Sequence, residues 1–215
     1  LNEQGHDCLI AYGRGNSPIG INAYRIGSDL DVKLHGVYTR LTDKTGFASK
    51  KATERLLEKI KEYNPDVIHL HNLHGYYINI EVLFNYLSTA DKPVIWTMHD
   101  CWAFTGHCPH FTIVKCELWQ SSCHNCPQLA IYPTSMLLDN SKWNYAKKKQ
   151  LFTSVNDMKF ITVSNWLKQI MAKSFLQKYP ITTIYNGVDL NVFQPVESAI
   201  RSKYKIDRKS TRLNS

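Results

Sequence analysis

The sequence predicts an α/β domain built on a parallel sheet with helices on both faces. Two observations carry that reading. Short apolar runs rich in β-branched residues alternate with helical stretches at the spacing of βαβ units. One of these runs, Val94-Ile95-Trp96-Thr97-Met98, stops at His99-Asp100. A buried strand thus delivers a histidine and a carboxylate to its carboxyl end, where open α/β sheets place their ligand clefts.

The elements follow in order. Leu1 to His6 reads as the end of a helix closed by Gly5, with a short strand from Cys8 to Tyr12 behind it. Residues 13 to 45, rich in Gly, Asn, Ser and Asp, predict loops with one or two short strands. From Gly46 to Tyr63 the pattern is helical: Ala52, Leu56, Leu57, Ile60 and Tyr63 recur at three and four, with Lys and Glu between them. Asn64-Pro65 ends that helix, and Asp66 to His71 is a strand. A helix over about Asn79 to Ser88 leads to the strand Val94 to Met98. A Lys-rich helix (Lys142 to Val155) and a strand (Lys159 to Val163) come next. Ser164 N-caps a helix ending near Ser174, and the strand Ile181 to Ile184 runs into Tyr185-Asn186-Gly187-Val188-Asp189. The predicted domain covers 1–190 and contains a cysteine-rich loop over 99–133. Pro195 marks a linker within 191–207, where Ile200 to Ile206 reads as the first turns of another element.

At 215 residues the chain holds one sizeable α/β domain, or one domain and part of another. Its apolar runs are far shorter than the ~20 residues of a membrane span. The formal net charge is +8, of which Arg208, Lys209 and Arg212 in the closing octapeptide supply three, leaving +5. That octapeptide (208–215) has no periodicity and reads as a non-native tail. The remaining charge suits anionic ligands or an anionic membrane surface, or simply solvated lysines.

Three clusters carry chemistry. His69 and His71 point the same way on a strand, with His74 close behind, as a metal pair would. Leu73, however, stands where a metal-dependent hydrolase of the H-x-H-x-D-H kind needs a carboxylate. His71 is then either a strand-end histidine facing a cleft or a structural one. His99 can accept a proton or orient a hydroxyl, with Asp100 tuning it. Five of the six cysteines lie between Cys101 and Cys126, and Cys123-x-x-Cys126 has zinc-knuckle spacing. Cys108, Cys116, Cys123 and Cys126 make a feasible structural zinc site, with disulfides and free thiols as rivals. At Asn186-Gly187 the residue types tolerate positive φ and predict a sharp reversal.

Taken together, DVIHLH (66–71), PVIWTMHD (93–100), ITVSNWL (161–167) and YNGVDLNVFQP (185–195) resemble the amino-terminal half of family 4 retaining glycosyltransferases. WTMHDCWAFTGHC (96–108) followed by C-x6-C-x2-C-P is similar to a subgroup associated with bacterial exopolysaccharide, capsule and lipopolysaccharide assembly, including colanic-acid-type enzymes. The likeness spans Leu1 to Ile206. It implies a Rossmann-like acceptor-side domain in a two-domain enzyme truncated at both ends. The expected lacks are a Gly-rich loop before Leu1 and a donor-binding domain after Ile206.

The resemblance further implies transfer of a sugar from a UDP- or GDP-sugar to a glycan or lipid-linked acceptor, with retention and without a catalytic cofactor. His99 would sit beside the transferring sugar, supported by Asp100; His71 and Asn72 would line the acceptor side. Asn186, Gly187 and Asp189 would form the crossing next to the donor. Cytoplasmic placement, peripheral at the inner membrane, follows from the same likeness, and the fragment alone is expected to transfer nothing. Two other readings are a zinc-stapled binding module and a metal-dependent hydrolase at the histidines. Nucleic acid is not an expected partner, because residues 99 to 127 hold Lys115 as their one Lys or Arg.

Overall fold

The computed structural model describes residues 4–17, 20–194 and 200–204. Strands β1 (Leu9–Tyr12) and β2 (Asn22–Arg25) form a two-stranded parallel sheet. A second parallel sheet holds β3 (Ile68–Leu70), β4 (Val94–Met98), β5 (Met158–Thr162) and β6 (Ile181–Thr183) in that spatial order. The helices are α1 (Asp29–Thr42), α2 (Lys50–Tyr63), α3 (Ile80–Leu87), α4 (Ser141–Phe152), α5 (Asn165–Met171) and α6 (Ile200–Lys203). Parallel neighbours need crossovers, and α3, α4 and α5 supply them between successive strands of the larger sheet. The chain divides into two compact units, Leu1–Tyr185 and Asn186–Ser215.

The core forms around β4, which is paired on both edges and buries Val94, Trp96, Thr97 and Met98. The Trp96 ring packs on Phe84 of α3, Phe152 of α4 and Phe160 of β5, at centroid separations of 5.5, 4.9 and 5.6 Å. Each such fully buried aromatic contributes roughly 1.5–3 kcal/mol by transfer, so these four rings clamp three elements onto the strand that ends at His99. Asn79 does the equivalent polar work for α3. Its side chain accepts from Val82 N at 3.0 Å as the N-cap and donates to the Phe47 carbonyl at 2.7 Å, while its own N–H donates to Thr53 Oγ1 of α2 at 2.7 Å.

Most expected elements stand within a few residues of their predicted limits, including the Ser164 N-cap, which accepts from Leu167 N at 3.2 Å. Gly5 has the left-handed φ of +85° that a helix-closing glycine needs; residues 1–3 lie outside the described residues. Three expectations are corrected. Residues 29–42, read as loop, are the helix α1, started by a capping box in which Ser28 and Asp31 bond each other's backbone N–H. Its buried face is His35, Gly36 and Thr39, whereas Leu30, Leu34, Val37 and Leu41 are exposed. The helix predicted from Gly46 begins at Lys50, because Gly46 and Ser49 both take positive φ. Asn186 and Gly187 do not take positive φ. The chain reverses after Asp189 instead, whose Oδ1 accepts from Asn191 N at 2.8 Å and whose carbonyl accepts from Phe193 N at 2.7 Å. Of the linker and tail, residues 195–199 and 205–215 lie outside the described residues.

Candidate active site

Parallel register sets Leu70 opposite Trp96, so the chain leaving β3 and the chain leaving β4 emerge side by side. His71 and His99 are the residues that follow at these two ends. His71 Nδ1 lies 3.2 Å from His99 Nε2, and the rings stack at 5.6 Å with 25° between their planes. His69 extends the row: its ring centroid is 4.4 Å from that of His71, and its Nε2 is 2.8 Å from Thr97 Oγ1. The His71 carbonyl accepts from Trp96 Nε1 at 2.9 Å, tying the loop to the core residue beneath it.

Electrostatics disfavours charge on His69 and His71. Burial lowers the pKa of His71, and the proximity of His69 and His99 lowers it further. His69 is lowered in the same way, first by burial and then by His99. A neutral imidazole offers one donor and one acceptor, the inventory that a ligand hydroxyl matches. Among the described residues His99 Nδ1 has no hydrogen-bond partner. Since His99 is exposed, that nitrogen is accessible to a ligand.

Asp100 faces another partner than the one expected. Its Oδ2 bonds His74 Nε2 at 2.8 Å and its Oδ1 accepts from Trp102 N at 2.8 Å. Burial works to raise its pKa, but the hydrogen bond and charge of His74 and the Trp102 N–H outweigh this and hold the carboxyl below its ordinary range. Tyr132 Oη donates to the His74 carbonyl at 2.8 Å and sits 3.1 Å from His74 Nδ1. His74 thus bridges Asp100 and Tyr132 through its two ring nitrogens. His74 is thereby a structural tie under the site, apart from the His69–His71–His99 row.

His71, Asn72, His99 and Asp100 line one recess with Trp102 and Ala103 at the β3 and β4 ends. The sequence had singled out the first four. Asn186, Gly187 and Asp189 lie in the second compact unit and are exposed there. Tyr132 escaped notice because it reaches His74 across 58 residues with no local pattern. Also missed was Lys148, fully buried in α4; burial pushes its pKa down to about 7. A lysine within an otherwise Lys-rich helix gives no hint that it alone points inward.

The four loop cysteines Cys108, Cys116, Cys123 and Cys126 line a second cavity with Phe111 and Trp119. All six cysteines are free. Cys101 is buried elsewhere, and burial pushes its thiol up to about 12.

A strand-end histidine recess on a parallel α/β sheet is shared by many enzymes; the comparison with known sequences is more specific. The family model described as Glycosyltransferase Family 4 matches residues 1–192. The chain belongs to glycosyltransferase family 4. Among curated proteins it is similar to the putative colanic acid biosynthesis glycosyl transferase WcaC of Escherichia coli (strain K12), with 33% identity over 136 residues. The alignment takes in 59% of this chain and 32% of that relative, so the chain matches about a third of the relative's length. As a family 4 domain, the chain carries its histidine recess at the carboxyl ends of the sheet strands. No helix among the described residues is long and apolar enough to cross a membrane.

Proposed function

We propose that this chain is the acceptor-side domain of a retaining glycosyltransferase in bacterial surface polysaccharide synthesis. The enzyme moves a sugar from a UDP- or GDP-sugar to a glycan or lipid-linked acceptor. The carrying observation is the His71–His99 pair at the strand ends, with His99 Nδ1 open to a ligand hydroxyl. In this reading His99 orients a hydroxyl of the transferring sugar or acceptor, and His71 fixes the His99 ring. Asn72 lines the acceptor side. Asp100 acts as a positioning residue, because its carboxylate holds Trp102 N and His74 and does not bond His99. Asn186, Gly187 and Asp189 are proposed to contact the donor.

The transfer needs no cofactor in the chemistry, but a departing nucleoside diphosphate does need positive charge or aligned dipoles. No Lys or Arg lines the recess among the described residues. Residues 1–215 by themselves are therefore proposed to bind acceptor and to transfer nothing, with the cationic groups supplied from elsewhere in the enzyme.

Cytoplasmic, peripheral attachment to the membrane is part of the same proposal. Its support is the exposed apolar row Leu30, Leu34, Val37 and Leu41 on α1, flanked by exposed Lys33 and Arg40. Such a face suits an anionic bilayer surface, where apolar side chains insert and cations meet headgroups.

The test is a transfer assay with the whole enzyme across a panel of UDP- and GDP-sugars and membrane extracts as acceptor. Product with the donor's anomeric configuration is expected. An inverted product would overturn retention, and turnover by residues 1–215 alone would overturn the division of labour.

A further inference from the structure

The loop between β4 and α4 holds four thiols that the proposed transfer does not use. Cys108, Cys116, Cys123 and Cys126 all line one cavity, and none is in a disulfide. Among the described residues no group of three or more His, Cys, Asp or Glu side chains is placed to hold a metal ion. The thiols are gathered round a cavity and not drawn onto one point.

Three neighbours of that cavity suit anionic sulfur better than neutral thiols. First, the Gly106 N–H donates to Cys123 Sγ at 3.1 Å. Only glycine permits this approach, since a Cβ at Gly106 would stand 2.2 Å from the Ser141 carbonyl oxygen and 2.7 Å from Cys123 Cβ. Hydrogen bonds to a charged form favour that form. Second, Trp119 is 4% exposed and lines the same cavity, yet its Nε1 has no acceptor among the described residues. Indole N–H is a donor only, and leaving it unpaired in the interior costs about 1–3 kcal/mol. Third, Lys148 is 1% exposed. Its Nζ donates to the carbonyls of Trp102 (2.8 Å) and Thr105 (3.1 Å) and lies 3.5 Å from the centre of the Trp102 ring. No ion pair among the described residues includes it, and Cys123, Asp43, Cys108 and Asp100 are its electrostatic neighbours. A buried cation without a direct ion-pair partner is costly.

We infer that Cys108, Cys116, Cys123 and Cys126 form a structural tetrathiolate zinc site whose charge is complemented by Lys148. Binding replaces four S–H bonds by four Zn–S bonds and releases four protons, leaving a centre of formal charge −2. That centre adds negative charge to the surroundings of Lys148, where Asp43 and Asp100 already act, and offers sulfur acceptors to Trp119 and Gly106. Thiolate ligands favour zinc over harder divalent ions, and four protein ligands close the site to chemistry. The metal would staple a loop whose only regular structure is three short 3-10 turns, Trp102–Phe104, Phe111–Val114 and Leu118–Gln120. That loop bears Trp102, which lines the histidine recess, and Tyr132, which bonds His74 beneath it. The inference stands independently of the transfer reaction.

The experiment is metal analysis of the whole protein purified under reducing conditions, followed by exchange of the bound metal for cobalt. The expected result is one zinc per chain and, in the cobalt form, intense sulfur-to-cobalt charge-transfer bands with the visible d–d bands of a tetrahedral ion. Cys116→Ser and Cys123→Ser lose zinc, whereas Cys8→Ser and Cys101→Ala keep it. Lys148→Met, which leaves all four ligands in place, weakens cobalt binding about tenfold. The wild-type cobalt spectrum decides the matter even where a cysteine variant fails to fold. Absence of both zinc and charge-transfer bands overturns the inference. So do iron in place of zinc, or a mass two hydrogens light in protein alkylated without reduction.

Discussion

His71 Nδ1 and His99 Nε2 meet at 3.2 Å across the ends of two parallel strands, and one proton serves both nitrogens. The contact is incompatible with two imidazolium rings. Burial, then the charges of His69 and His99, already hold His71 below the ordinary histidine pKa. Transfer by the whole enzyme is therefore expected to be level from about pH 8 to 6.5 and to fall as the medium becomes more acid. His99→Ala is expected to lower kcat/KM by roughly 10²–10⁴. In that variant His71 loses one of the groups that depress it, so the residual activity should fail at higher pH than in the wild type. A pH–rate profile of both proteins checks this, and an unmoved acid limb would count against a working His71–His99 pair.

His35 predicts a separate acid effect on stability. It is 1% exposed, its Nδ1 bonds Ser49 Oγ at 2.8 Å, and its Nε2 accepts from Gly46 N at 3.1 Å. That second bond requires an unprotonated nitrogen, and burial lowers the pKa from 6.5 to about 4. The unfolded chain takes up the proton first as pH falls, so stability declines through the window from about pH 6.5 to 4 and is unaffected above it. Linkage at 1.36 kcal/mol per pH unit gives a loss of roughly 2 kcal/mol between pH 8 and pH 5 from this one group. Urea denaturation at the two pH values should show the loss in the wild type and a shallower one in His35→Asn.

The sheet was legible chiefly through its central strand, Val94–Met98, an almost wholly apolar run of the kind that burial on two faces produces, which matches its predicted limits. The histidines at the strand ends were legible for the same reason, since polarity resumes where the sheet stops. α1 was not. Helical periodicity normally reports a buried apolar stripe, whereas in α1 the buried side is His35, Gly36 and Thr39 and the apolar side faces outward. The partners of Asp100 and His107 were illegible because they come from 26 and 64 residues away.

Asp43 gives a stability prediction of opposite pH sense. Its carboxylate bonds the fully buried His107 and accepts from Asn140 N at 2.9 Å, while its carbonyl accepts from Asn144 Nδ2 at 2.6 Å. One residue at the end of α1 thus anchors both the cysteine loop and the start of α4. Burial opposes charge on His107, but the Asp43 hydrogen bond and carboxylate outweigh it and raise the pKa. The pair's contribution is full below about pH 6.5 and is lost as pH rises through the folded value. Asp43→Ala leaves His107 and the Asn140 N–H without their partner and should cost about 3–5 kcal/mol at pH 6. Thermal melts at pH 6 and pH 8 should show the larger destabilisation at pH 6; an equal penalty at both would remove the ion pair from the account.

The outward face of α1 makes the last prediction, about the membrane and not about the fold. Leu30, Leu34, Val37 and Leu41 are 64, 59, 51 and 44% exposed, so replacing them changes little internal packing. Met136, itself 71% exposed, is held beside the same helix by its N–H to the Arg40 carbonyl at 2.7 Å, which widens the apolar surface at the α1 C-terminus. Leu34→Glu with Val37→Glu should shift unfolding by no more than about 0.5 kcal/mol per site, as surface changes do. The same pair should abolish sedimentation of the whole protein with vesicles containing anionic lipid. Lys33→Glu alone should weaken that binding by about 1 kcal/mol and only at low salt, because its share is electrostatic. If the double glutamate variant still sediments with vesicles, α1 is not the membrane face. If it unfolds, the row is packed against protein in solution and the exposed face is an interface of another kind.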